Sequence, residues 1–158
     1  MATRARDIMQ TSVITVTPET PLINVHRLFT DDEITGAPVV DDDDRLVGVI
    51  SAVDLIRATQ AEHESGAARP TYFRDFVPYS GPDWTTWPED FQDRLRELRV
   101  EDAMTEGAIS VPPDAPVSDV ARVMRERRIH RVLVVDQGTL VGVISAFDLV
   151  ALLEKSQG

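Results

Sequence analysis

Leu46-Val47-Gly48-Val49-Ile50-Ser51-Ala52-Val53-Asp54-Leu55 returns, with nine of ten residues identical, as Leu140-Val141-Gly142-Val143-Ile144-Ser145-Ala146-Phe147-Asp148-Leu149. The offset is 94 residues. Upstream of it, residues 4–41 laid on 99–136 at an offset of 95 match at 13 of 38 positions, among them Asp7 with Asp102, Met9 with Met104, Pro18 with Pro113 and Pro21 with Pro116. One residue fewer in the loop after Asp41 reconciles the two offsets. Agreement of this kind between two parts of one chain marks an internal duplication.

Each copy reads the same way. The β-branched run Val13-Ile14-Thr15-Val16 predicts a short strand, and Thr20-Pro21 predicts an N-cap with proline at the first helical position. Leu22, Val25, Leu28 and Phe29 follow at helical spacing, matched by Val117, Val120, Val123 and Met124. Ala37-Pro38-Val39-Val40 then predicts a buried strand, Asp41 to Asp44 an acidic turn, and Leu46 to Ile50 a second strand; the other copy offers Val132 to Val135, a turn at Asp136-Gln137-Gly138, and Leu140 to Ile144. Ser51 with Asp54, and Ser145 with Asp148, have the spacing of a capping box that starts a helix directly after the strand. The fold class is α/β (α+β), two β-α-β-β-α units over residues 1–56 and 100–158, joined by a connector over 57–99. A unit of about 50 residues is marginal alone, so the two are expected to pack against each other about a pseudo-twofold axis.

Composition narrows the function classes. With no cysteine, disulfide frameworks, thiolate zinc sites and cysteine nucleophiles are excluded. A net charge of −11 repels nucleic acid and anionic membrane, and no apolar run approaches the roughly 18 residues of a membrane span. A cytoplasmic protein is expected. His26, His63 and His130 are scattered, and His26 and His63 are assigned no role. No catalytic constellation stands out, so no enzyme is expected. Arg122, Arg125, Arg127 and Arg128 read as a solvated helix face. The connector holds seven of the nine aromatics, Tyr72, Phe73, Phe76, Tyr79, Trp84, Trp87 and Phe91, together with Pro70, Pro78, Pro82 and Pro88. It reads either as an ordered strap on the paired units or as a partner surface. Glu89 to Val100 reads as a short helix with Phe91, Leu95 and Leu98 on one side.

Taken in order and twice over, Asp7-Ile8-Met9, Val13 to Val16, Ile34 to Asp41 and Gly48 to Leu55, with Asp102-Ala103-Met104, Ile129 to Asp136 and Gly142 to Leu149, resemble a tandem pair of cystathionine-β-synthase (CBS) domains, a Bateman module. The resemblance spans all but the connector and the ends. It implies a regulatory module that binds adenosine-containing ligands (AMP, ADP, ATP, S-adenosylmethionine or a dinucleotide) in clefts between its units, here standing alone and without a required cofactor or metal.

The same resemblance implies the site residues. One cleft would use Ser12, Ile14, Ala37 and Pro38 with Ser145 and Asp148; the other would use Gly107, Ile109, Arg131 and Val132 with Ser51 and Asp54. In this family the serine contacts phosphate and the aspartate holds the ribose hydroxyls, while His130-Arg131 resembles the phosphate-contacting pair of nucleotide-sensing members. From the residues alone, Ser51 and Asp54 read as a helix cap, and a helix N-terminus also suits an anion. Two functions follow: a nucleotide sensor acting on an unknown regulated protein, or an adaptor with empty clefts that binds through the connector aromatics. A homodimer is expected, because Leu149, Val150, Leu152 and Leu153, with Leu55 and Ile56, offer more apolar surface than one sheet face needs.

Overall fold

Within the residues that the computed structural model describes, 3–59 and 89–157, the two copies fold alike. A one-turn helix, α1 (Ala5–Ile8), precedes α2 (Leu22–Asp31), whose Leu22, Val25 and Phe29 are buried at the predicted helical spacing. An antiparallel hairpin follows, β1 (Gly36–Val40) with β2 (Leu46–Ser51), and runs straight into α3 (Ala52–Thr59). After α4 (Glu89–Glu97) the order repeats as α5 (Val100–Ala103), β3 (Ser110–Val111), α6 (Val117–Arg127), the hairpin of β4 (Arg131–Asp136) with β5 (Thr139–Ser145), and α7 (Ala146–Gln157). His63 and the connector aromatics from Tyr72 to Trp87 lie outside the described residues, as does the side chain of Phe91.

Three local expectations need correction. The β-branched run at 13–16 forms only a parallel bridge, Val16 to Val39, and its counterpart β3 is two residues long, paired with Leu133 and Val134. Upstream of that bridge the chain leaves the sheet and lines a cleft instead. Helix α2 begins at Leu22, with Pro21 as the N-cap, because ψ of 142° keeps the proline extended while its carbonyl accepts from Asn24 N at 3.0 Å. Thr20 sits one residue outside, its Oγ1 accepting from Thr17 N at 3.3 Å. Leu55 is fully buried and Ile56 partly so, rather than joining an open patch, because α4 lies across α2 and α3 with Leu95 fully buried in the same core. The acidic turn is as read: Asp41 Oδ1 accepts from Asp43 N at 2.9 Å and Arg45 N at 3.0 Å.

The units exchange their first helices. Ala5, Ile8 and Met9 pack in the core built from α6, β4 and β5, whereas Val100, Ala103 and Met104 pack in the core built from α2, β1 and β2. The backbone repeats the exchange symmetrically: Ala5 N donates to Ala115 O at 2.8 Å and Val117 N to Thr3 O at 3.0 Å, as Val100 N donates to Thr20 O and Leu22 N to Leu98 O, both at 2.9 Å. Each lead-in segment then crosses the other unit's hairpin. Gln10 and Val143 exchange both backbone bonds, N to O at 2.8 and 3.0 Å, and Thr105 and Val49 do the same at 2.9 and 3.0 Å.

Gly48 and Gly142 stand next to these crossings because a side chain would block them. A Cβ at Gly48 would lie 2.9 Å from Thr105 O and 3.2 Å from Met104 Sδ; at Gly142 it would lie 2.7 Å from Met9 Sδ and 3.0 Å from Gln10 O.

The predicted capping boxes form. Ser51 N and Oγ both donate to Asp54 Oδ2, at 2.8 and 3.1 Å, and Asp54 N donates to Ser51 Oγ at 3.4 Å. Asp54 is 4% exposed. Burial pushes its carboxyl above the usual aspartate value, against the opposing hydrogen bonds from Ser51, the Arg57 charge and the Thr105 hydroxyl.

Gly48→Ala and Gly142→Ala should each destabilise the fold by about 1–3 kcal/mol, since a Cβ at either meets a backbone carbonyl of the crossing segment at about 3 Å; urea midpoints measure both, and an unchanged midpoint for either would contradict the close crossing. For Asp54, a raised folded pKa means that the native state holds its proton more tightly than the unfolded chain. Wild-type stability relative to Asp54→Asn should therefore be greatest below the ordinary aspartate value and fall as pH rises through the raised one. Urea denaturation of both proteins from about pH 4 to about pH 7 checks this, and parallel pH profiles would contradict it.

Candidate functional site

Side chains alternate across a strand, and this alternation sorts the first copy's predicted residues. On β1, Ala37 and Val39 point into the core, while Gly36 and Pro38 line a cleft between the two units. Ser12, Val13 and Ile14 form one wall, where the shortened first strand leaves Ile14 39% exposed. Ile34 adds to the same wall, and the second unit closes the other side with His130, Arg131, Val143, Ser145 and Phe147. The cleft measures about 270 Å³, near the lower end of small-molecule sites, roughly 300–1,000 Å³.

The structure thus brings together Ser12, Ile14, Pro38 and Ser145 as expected, with Asp148 one turn behind Ser145. Ala37 is not among them, being fully buried in the first core. Val132 is likewise fully buried, in the second core. His130 and Arg131 line this first cleft rather than standing only in the second with Ser51 and Asp54. The register explains it: Arg131 pairs directly with Ser145 across the β4–β5 hairpin, and Ala146 N donates to the His130 carbonyl at 2.8 Å. Of the remaining second-cleft residues, Gly107 is exposed with φ of 87°, Ile109 is half-buried against the second core, and Ser51 and Asp54 are buried.

Hydrogen bonding decides what Ser145 and Asp148 offer. Ser145 N and Oγ donate to Asp148 Oδ2 at 2.8 and 3.2 Å, and Gln10 Nε2 donates to Asp148 Oδ1 at 3.0 Å. In this arrangement the serine hydroxyl proton points at the carboxylate, so the serine presents lone pairs outward and suits a donor better than an anion. An ionised Asp148 is an acceptor only, matched to hydroxyl donors. Positive charge comes instead from Arg131. Apolar Ile14, Ile34, Pro38, Val143 and Phe147 supply flat surface beside these groups.

Sequence reading missed Ile34, Val143 and Phe147 as cleft residues and Gln10 as the partner of Asp148. The aligned Met9 and Met104, with a glycine inside each matching strand, were the available signal of a close interchain-like crossing; nothing in the spacing alone told which hairpin each segment would cross. Arg122, Arg125, Arg127 and Arg128 are exposed, with Arg122 paired to Asp119 at 3.2 Å. No helix among the described residues is long and apolar enough to cross a membrane.

Comparison with known proteins agrees with this architecture. The CBS domain family matches residues 5–61 and 100–155. The chain is 32% identical over 152 residues to the uncharacterized protein MJ1426 of Methanocaldococcus jannaschii, covering 94% of this chain and 89% of that one. Two other curated relatives are longer, the chain spanning 42% of one and 61% of the other. Among solved structures, CBSX2 from Arabidopsis thaliana superposes with a TM-score of 0.69 at 25% identity over 100% of this chain and 99% of that one. CBSX2 in complex with AMP superposes with 0.68 at 23% identity over 98% of each chain. The CBS domain pair of MJ0100, in complex with 5′-methylthioadenosine and S-adenosyl-L-methionine, superposes with 0.64 at 22% identity over 99% of each. Two duplicated units, exchanged first helices and a cleft at their junction, matched by family at both copies, make this chain a member of the CBS domain family, carrying a tandem CBS pair.

Proposed function

We propose that this CBS pair is a regulatory module that binds an adenosine-containing ligand, AMP or ATP, in the cleft between its units, and that occupancy alters unit packing and thereby a partner protein. One observation carries the reading: a single cleft joins apolar walls from both units to a basic pair and to Ser145, whose hydroxyl donates to Asp148 behind it. The adenine ring is assigned to the surface of Ile14, Ile34, Pro38 and Phe147, the ribose diol to Asp148, and the phosphates to Arg131 and His130. Ser145 orients Asp148. The AMP complex of CBSX2 and the adenosyl ligands of MJ0100 support the ligand class, and the latter makes S-adenosylmethionine the next candidate.

We also propose that two chains associate through α7. Phe147, Val150 and Leu153 are 64%, 58% and 63% exposed on that helix, a patch that water contacts at a cost of roughly 25 cal/mol per Å² relative to burial.

Charged hydrogen bonds to phosphate contribute roughly 1.5–3 kcal/mol each, so Arg131→Ala should weaken ATP binding about tenfold or more while leaving adenosine nearly unchanged. Calorimetric titration with both ligands tests the assignment, and an equal loss for adenosine would remove Arg131 from the phosphate site. For the dimer, Val150→Glu with Leu153→Glu should leave a 17.5 kDa species in light scattering. A wild-type chain already of that mass at micromolar concentration would contradict the proposal.

A further inference from the structure

Duplication predicts two equivalent clefts, but the side chains that line them are not equivalently placed. Ser145, Val143 and Ile34 line the first cleft, and they and Asp148, one turn behind Ser145, are partly exposed. Their counterparts Ser51, Asp54, Val49 and Ile129 are 0%, 4%, 0% and 4% exposed. We infer that the chain carries one nucleotide site, at Ser145 and Asp148, and that the pseudo-symmetric position at Ser51 and Asp54 is a closed structural joint. This rests on the nucleotide reading above.

Three differences between the copies close the second position. Helix α4 presses the fully buried Leu95 into the core that also holds Leu55 of α3, while Phe147, Val150 and Leu153 leave the matching helix α7 exposed. Arg57 Nη1 lies 3.7 Å from Asp54 Oδ1, within the protein; the residue matching Arg57 in the other copy is Ala151, so Asp148 has no such cation one turn on. The third difference lies at the crossing. The half-buried Thr105 is held by its backbone on Val49 beside Asp54, whereas Asp148 meets the neutral amide of the exposed Gln10, which solvent or a ligand hydroxyl can replace. A carboxylate that is 4% exposed, with a guanidinium 3.7 Å away, must first be uncovered before a ligand hydroxyl can reach it. Asp148 requires only the exchange of one exposed hydrogen bond.

Isothermal titration of the full chain with ATP, and separately with AMP, is expected to give one ligand per chain. Asp148→Asn should weaken binding by about tenfold, the loss of one charged hydrogen bond. Asp54→Asn should leave affinity within about twofold and the stoichiometry unchanged. Two ligands per chain, or a loss of binding in a folded Asp54→Asn protein, would overturn the single-site inference while leaving the nucleotide reading in place. Should Asp54→Asn fail to fold, the wild-type stoichiometry decides by itself. Absence of binding with ATP, AMP and S-adenosylmethionine would overturn both.

Discussion

Everything in this molecule hangs on two backbone crossings, Gln10 on Val143 and Thr105 on Val49. Each satisfies buried peptide groups that would otherwise be orphaned at a sheet edge, and each requires a glycine beside it because the incoming chain sits at van der Waals distance. Through them, and through the exchanged helices α1 and α5, neither half completes its own core. The hydrophobic stabilisation of one unit is therefore inseparable from the presence of the other. That coupling is the physical basis on which a ligand in the cleft between the units can influence the whole body.

The cleft itself is a by-product of incomplete pairing. Where residues 12–14 leave the sheet, the strand face that they would have covered stays open, and β1 presents Gly36 and Pro38 toward it. The hairpin register then delivers Arg131 opposite Ser145, so a basic group and the serine that caps Asp148 reach the same space from a single unit. Separation of the tasks follows from hydrogen-bond chemistry: a serine already donating to Asp148 is poorly disposed toward phosphate, whereas a guanidinium donates without accepting.

Departures from symmetry carry as much information as the symmetry. The two Ser-x-x-Asp segments, which differ only in Val53 against Phe147, have different surroundings: α4 packs against α3, and Arg57 is replaced by Ala151. In one copy the aspartate is a buried cap, raised in pKa by desolvation; in the other it is half-exposed with a replaceable partner. Nine identical residues in ten do not make two identical sites: the tenth, Phe147 in place of Val53, lines the cleft, and the exposure of the shared residues depends on their neighbours.

Periodicity and turn chemistry are local, so the sequence by itself determined the duplication, the hairpins, the helices that follow them and the Ser-x-x-Asp caps. The β-branched run at 13–16 misled because strand propensity does not say whether a partner edge extends alongside. Cleft membership at Ile14, Pro38 and Ser145 was legible through family resemblance, and the inward turn of Ala37 and Val132 was implicit in a period of two once the strands were in register. Only the tertiary structure decided that the first helices are exchanged, that Arg131 faces the first cleft, and that Gln10 caps Asp148. Those outcomes depend on which segment crosses which hairpin, a long-range choice made by packing two cores at once, and no short stretch of sequence encodes it.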